Sequence, residues 1–188
     1  MNILIAGVGG QGTLLASRIL GRVAQDGGYD VKVSEVHGMA QRGGSVVTYV
    51  KYGEKIYSPI IEEGEADIVL AFEELEAYRY LPFLKKGGKL ILNTQRTDPM
   101  PVITGKMEYP VGITEKIDAK GVDMKAVDAL TLAQNAGSEK AVNVVLIGVL
   151  AAYTDIPEEA WLSAIERTVP PKFLEINKEA FLLGYKAA

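Results

Sequence analysis

Cysteine is absent from the 188-residue chain, and histidine occurs once, as His37. The first absence excludes disulfides, thiolate nucleophiles and cysteine-ligated iron–sulfur clusters together. The second puts His-rich zinc and non-haem iron sites out of reach. An excess of one sign of charge is also slight: Lys and Arg number 20 against 24 Asp and Glu, a net charge of −4. A mildly acidic chain without a run of basic residues carries no electrostatic footprint for nucleic acid. Long hydrophobic runs are missing too. The longest apolar stretch, Val144 to Tyr153, falls far short of the ~20 residues that cross a bilayer. No basic, apolar leader precedes the strand-like Asn2-Ile3-Leu4-Ile5-Ala6, so the expectation is a soluble, cytoplasmic protein with no membrane contact.

Several reaction motifs are lacking as well. No glycine-lysine-serine/threonine follows the N-terminal glycines, which removes a Walker A loop. No G-x-S-x-G elbow occurs, and there is no Gly-Asp-Gly of the kind that holds thiamine-diphosphate magnesium. A self-contained catalyst is hard to assemble from what remains.

What is present is an alternation of strand and helix signals. Apolar residues make up 48% and charged residues 23% of the chain, as in ordinary folded domains. Ile3 to Ala6 is an unbroken apolar run, expected of a strand covered on both faces. Thr13 to Gln25 has Leu15, Ile19, Leu20 and Val23 at helical spacing, and Gly27-Gly28 ends it. Val31 to Glu35, Asp67 to Ala71, Lys89 to Asn93 and Met124 to Val127 read as further strands. Ser45 to Tyr52 is β-branched and aromatic, and the Gly53-Glu54 turn before Lys55-Ile56-Tyr57 predicts a hairpin. Glu73 to Leu84 reads as a helix ended by Lys85-Lys86-Gly87-Gly88. Thr97 to Gly121, with Pro99, Pro101 and Pro110, reads as irregular chain with short strands.

The last fifty residues are helical in pattern. A helix begins near Asp128 and closes at Gly137, and Ala141 to Tyr153 is apolar on nearly every side. Pro157-Glu158-Glu159 opens another helix, with acids at the positive dipole end, and Lys172 to Lys186 forms the last. The expectation is one α/β domain over residues 1–188: a three-layer, Rossmann-like open sheet, mostly parallel with a β-hairpin, and a helical C-terminal end.

Gly7-Val8-Gly9-Gly10-Gln11-Gly12 contains G-x-G-x-x-G between a predicted strand and a predicted helix, which is the context that motif requires. Glycine permits a tight turn and close backbone approach, and the free amides of the helix start face an anion with the dipole behind them. The competing reading is that these glycines only let strand and helix pack closely. Glu35 closes the next strand, where a dinucleotide fold places an acid on a ribose, but it lies further along than that fold's spacing.

A second cluster runs from Ser34 through Glu35, Val36, His37, Gly38, Met39, Ala40, Gln41, Arg42, Gly43 and Gly44 to Ser45. It gathers a carboxylate, an imidazole, a guanidinium and several glycines beyond a strand end, where open α/β sheets bind ligands. Arg42 between small neighbours suits bidentate capture of a carboxylate or phosphate, and the His37 imidazole can donate to an anion; the alternative is a solvated polar loop. Asn143, within an apolar helix, reads as a satisfied core amide; Glu73 and Glu74, after a strand end, could reach the same cleft but read first as acids serving a helix dipole.

Taken together, the glycine loop, the Ser34–Ser45 segment, Ala141-Val142-Asn143 and the end segment Pro171-Lys172-Phe173 with Asn177 and Ala180-Phe181 resemble a known family. That family is the small subunit of indolepyruvate:ferredoxin oxidoreductase, among the gamma-type 2-oxoacid:ferredoxin oxidoreductases. The resemblance implies a division of labour. A large partner subunit would carry thiamine diphosphate, magnesium and [4Fe–4S] clusters, decarboxylate an aryl pyruvate to acyl-coenzyme A and pass electrons to ferredoxin. This chain would bind none of those groups itself. Gly7, Gly9, Gly10, Gln11, Gly12, Glu35, His37, Arg42, Gly43 and Gly44 would form an anion-receiving surface, with coenzyme A phosphates one candidate ligand and the partner chain another. The rival readings are a stand-alone NAD- or FAD-dependent oxidoreductase and a non-catalytic binding module.

Overall fold

A computed structural model describes residues 1–38 and 44–188. The strands are β1 (Asn2–Val8), β2 (Asp30–His37), β3 (Ser45–Gly53), β4 (Ala66–Ala71), β5 (Leu84–Asn93) and β6 (Asp123–Val127). The helices are α1 (Thr13–Asp26), α2 (Glu74–Tyr80), α3 (Met100–Ile103), α4 (Ile113–Asp118), α5 (Ala129–Asn135), α6 (Val142–Ala151), α7 (Glu158–Thr168) and α8 (Leu174–Lys186). Among the described residues the strands form one sheet in the order β2-β3-β1-β4-β5-β6. β1, β4, β5 and β6 are parallel, and β3 alone runs antiparallel to both its neighbours.

Period-two alternation sorts each central strand into two faces. Ile3, Ile5, Ile68, Leu70 and Ile91 pack on one side against α1, α5, α6, α7 and α8. Leu4, Ala6, Val69, Ala71, Leu90 and Leu92 pack on the other against α2 and α4. The expected three-layer, mostly parallel α/β fold with a helical C-terminal end is therefore present.

The hairpin is made differently from the expectation. Lys55-Ile56-Tyr57 forms no strand; β3 instead pairs back on β2, from Asp30 opposite Gly53 to His37 opposite Val46. The link from His37 to Ser45 is too short for a parallel crossover, which needs a dozen residues or more, so the strands must be antiparallel. Beyond β3 the chain is held by Asp30, whose Oδ2 accepts from Ile56 N at 2.8 Å, and no ladder continues.

Two further expectations are corrected. The helix predicted over Glu73 to Leu84 stops at Tyr80 and tightens into a 3₁₀ turn, Leu81–Phe83, because Pro82 has no N–H to continue the ladder. Lys85-Lys86-Gly87-Gly88 then lies in β5 and not at a helix end. Between Thr97 and Gly121 the chain forms α3 and α4 and no strand. Pro101 sits in the first turn of α3, where a missing N–H is tolerated.

Candidate functional site

The glycine loop leaves β1 at the C-terminal edge of the parallel strands. Here α1 leads toward β2 while β4 lies on β1's other side, which is the switch point where open α/β sheets take ligands. The glycines serve different ends. A Cβ on Gly7 would stand 2.9 Å from Gln11 Oε1 and 3.1 Å from Phe72 Cβ, so close packing requires glycine there. Gly12 has φ 82°, and a Cβ would meet Asn143 Nδ2 at 2.5 Å. Gly10, with φ 102°, has open space beyond it and needs only the left-handed backbone. The packing reading thus holds for Gly7 and Gly12, while Gly10 answers to backbone conformation alone.

Gln11 turns inward. Its Oε1 accepts from Val8 N at 2.7 Å and its Nε2 donates to Phe72 O at 3.3 Å, which locks the turn to the end of β4. Asn143 is satisfied as expected: it donates to Gly12 O at 3.2 Å and accepts from Val144 N at 3.0 Å. No side chain caps α1, so the amides of its first turn carry the positive dipole end without a competing carboxylate.

The inserted β3 joins the two sequence clusters. Val8 pairs with Ser45, and Gly9 N donates to Gly44 O at 2.9 Å. The end of the second segment, Gly44 and Ser45, therefore lies against the glycine loop. Arg42 and Gly43 lie outside the described residues. Glu35 and His37 stay on β2, one strand further out. Glu35 Oε2 accepts from Thr48 Oγ1 at 3.0 Å, and His37 Nε2 lies 2.6 Å from Glu35 Oε1. With β3 between β1 and β2, Glu35 stands two strand spacings from β1, roughly 10 Å, and its carboxylate is taken up by Thr48 and His37. The ribose-binding geometry of a dinucleotide fold does not form.

A cleft of about 570 Å³ opens beside the loop, lined by Gly10, Gln11, Gly12, Gln95, Lys140 and Asn143 among others. Among the described residues Lys140 is its cation, and Glu139 stands next to it. The sequence reading missed Lys140, Gln95 and Leu130. Lys140 directly precedes the Ala141-Val142-Asn143 segment, the one signal that pointed there.

Across the switch point, Glu73 is 1% exposed and caps α2. It accepts from Glu76 N at 3.0 Å, Thr97 N at 3.1 Å and the Tyr109 hydroxyl. Burial, and then the bond to Glu73, push the Tyr109 phenol well above its ordinary range. Glu76 accepts from Ser45 Oγ at 2.5 Å, which ties the start of β3 to α2. Burial raises the Glu76 carboxyl above the usual range, against the opposing pull of Ser45 and Arg79. Glu73 thus caps α2, in keeping with its reading as an acid at a helix start, and also anchors Thr97 and Tyr109 near the site. Among the described residues no group of three carboxylates or histidines could hold a metal ion.

This architecture has known counterparts. The family described as pyruvate ferredoxin/flavodoxin oxidoreductase matches residues 2–187. The indolepyruvate oxidoreductase subunit IorB of Thermococcus kodakarensis is 46% identical, over 100% of this chain and 95% of the relative. The keto/oxoacid ferredoxin oxidoreductase gamma subunit of Geobacter sulfurreducens superposes with a TM-score of 0.75 at 26% identity, over 100% and 97% of the two chains. A 2-oxoglutarate:ferredoxin oxidoreductase from Magnetococcus marinus shares the fold, with a TM-score of 0.76 and 20% identity; this chain covers 31% of it.

Proposed function

Because the chain belongs to the pyruvate ferredoxin/flavodoxin oxidoreductase family, we propose that it is the small subunit of an indolepyruvate, or closely related aryl pyruvate, oxidoreductase that uses ferredoxin. The observation that carries this reading is the near full-length identity to the Thermococcus kodakarensis subunit. Residues 1–188 act as one domain, in the cytoplasm. No helix among the described residues is long and apolar enough to cross a membrane.

Thiamine diphosphate, magnesium and [4Fe–4S] clusters belong to a larger partner subunit in this reading. A chain without cysteine cannot ligate such a cluster through thiolates. The family fold within a chain roughly three times as long fits a domain that works beside a larger body. This chain's share is positional. The uncapped start of α1, Gly10 and Lys140 offer amides and one cation to an anion. Arg42, two residues before Gly44 in the sequence, adds a guanidinium suited to phosphate. Coenzyme A phosphates fit that donor set.

The test is to purify the tagged chain from native extract and assay what accompanies it. A large iron–sulfur, thiamine-containing protein should co-purify, and the assembly should reduce ferredoxin with an aryl pyruvate and coenzyme A. Absence of any iron–sulfur partner overturns the subunit assignment. In the assembled enzyme, Arg42→Ala should raise the KM for coenzyme A while assembly persists. Unchanged turnover and coenzyme A affinity would overturn the anion role alone.

A further inference from the structure

The opposite edge of the sheet, at the N-terminal ends of β5 and β6, holds a second cavity of about 550 Å³. That volume lies within the range of small-molecule sites. Leu81, Pro82, Leu84 and Val122 give it an apolar lining, and the ring of Tyr78, 40% exposed, stands at its side. Lys85, Lys86 and Lys120 supply its cations.

A break in the sheet builds this pocket. From the pair Ala66–Leu84 to the pair Ile68–Lys89, β4 advances two residues while β5 advances five. The excess residues loop out and carry Lys85 and Lys86 to the pocket. Glycine is required at the return: Gly87 has φ 77°, and a Cβ on Gly88 would stand 2.8 Å from Leu84 Cδ1 and 2.9 Å from Asp67 O. Bulges of this kind concentrate where a strand must re-aim its side chains.

The charges there do not cancel. Asp67 is committed to Lys85 and to Asn2 N, and Asp123 to Lys89 at 2.6 Å. Lys86 and Lys120 have no carboxylate partner among the described residues. In a chain of net charge −4, two unpaired lysines over an apolar floor favour a ligand with an apolar body and an anionic end. Lysines on long stems act as adaptable point charges, suited to a simple carboxylate more than to a rigid bidentate group.

We propose that this lysine-rimmed pocket binds a small amphipathic carboxylate at a site separate from the glycine cleft. The experiment titrates the ¹⁵N-labelled full chain with phenylacetate and follows the amides of Gly87, Gly88, Gly121 and Val122. They should shift saturably while those of Gly10 and Gly12 stay still. Phenylacetamide, which lacks the charge, and acetate, which lacks the ring, should each bind at least about tenfold more weakly. The Lys86→Gln/Lys120→Gln variant should weaken phenylacetate by a similar factor, with an otherwise unchanged spectrum confirming its fold. Each of three results would overturn the proposal: no saturable shift, equal response to acetate, or undiminished binding by the double variant.

Discussion

Gly148 of α6 and Gly184 of α8 face each other where the two helices cross. A Cβ on Gly148 would fall far inside contact distance of the Phe181 carbonyl oxygen, and one on Gly184 would do the same to Val145 O. Backbone therefore packs on backbone. The stacked rings of Trp161, Phe181 and Tyr185 extend the same contact.

Replacing either glycine by alanine must push the helices apart, since the opposing atoms are backbone and cannot rotate away. Overpacking of a rigid core costs about 1–3 kcal/mol and more where backbone must move. Gly148→Ala and Gly184→Ala are each expected to destabilise by about 3 kcal/mol or to leave the chain insoluble. Urea unfolding of each variant measures this; a loss no larger than that of an exposed Ala→Gly change would contradict it.

Gly12→Ala combines backbone strain with a clash. The left-handed conformation costs a non-glycine residue about 1–2 kcal/mol, and Asn143 Nδ2 must retreat from its bond to Gly12 O. The expected result is a stability loss of about 2–3 kcal/mol together with weaker coenzyme A binding by the assembled enzyme. Gly10→Ala meets no atoms, so it should cost only the conformational part.

Tyr109→Phe removes one of the three donors to buried Glu73 and leaves Leu75 N without its acceptor. A buried group left unpaired costs about 1–3 kcal/mol. A matching fall in the midpoint of urea unfolding is expected, with an unchanged slope.

Asp128 caps α5: Thr131 N donates to its Oδ1 at 3.0 Å and Thr131 Oγ1 to its Oδ2 at 2.7 Å. The bonds from Thr131 hold its carboxyl below the usual value of 3.8. A depressed carboxyl stabilises the fold above its unfolded value and loses that contribution as pH falls through the folded one. Asp128→Ala should therefore cost about 1 kcal/mol at neutral pH, and the gap to the unaltered chain should narrow below pH ~4. A difference independent of pH down to acid unfolding would contradict it.

Much of the architecture was legible because it is written in local patterns. The unbroken run Ile3 to Ala6 announced a strand covered on both faces, and both faces are covered. Asp128 and Gly137 bracketed α5, and Pro157 opened α7. The insertion of β3 was not legible, because nothing within Asn2–Val8 distinguishes an antiparallel neighbour from a parallel one; pairing is a property of distant residues. That one placement moved Glu35 a strand outward and returned Gly44 to the glycine loop. That Gln11, which lines the cleft, also locks the turn was not legible, because side-chain direction within a turn depends on what lies behind it, here Phe72 O. Pro82 was readable as a stop, but the apolar spacing on to Leu84 concealed it.

The antiparallel β3 also favours one order of assembly. Its ladder with β2 closes a link of only a few residues, while its ladder with β1 joins Asn2 to Lys51 and Val8 to Ser45 across α1 and β2. Loop-closure entropy makes the first pairing the readier one. The hairpin can thus exist before it docks, and the Gly9–Gly44 bond that unites the two halves of the candidate site forms only once the sheet has closed around β1.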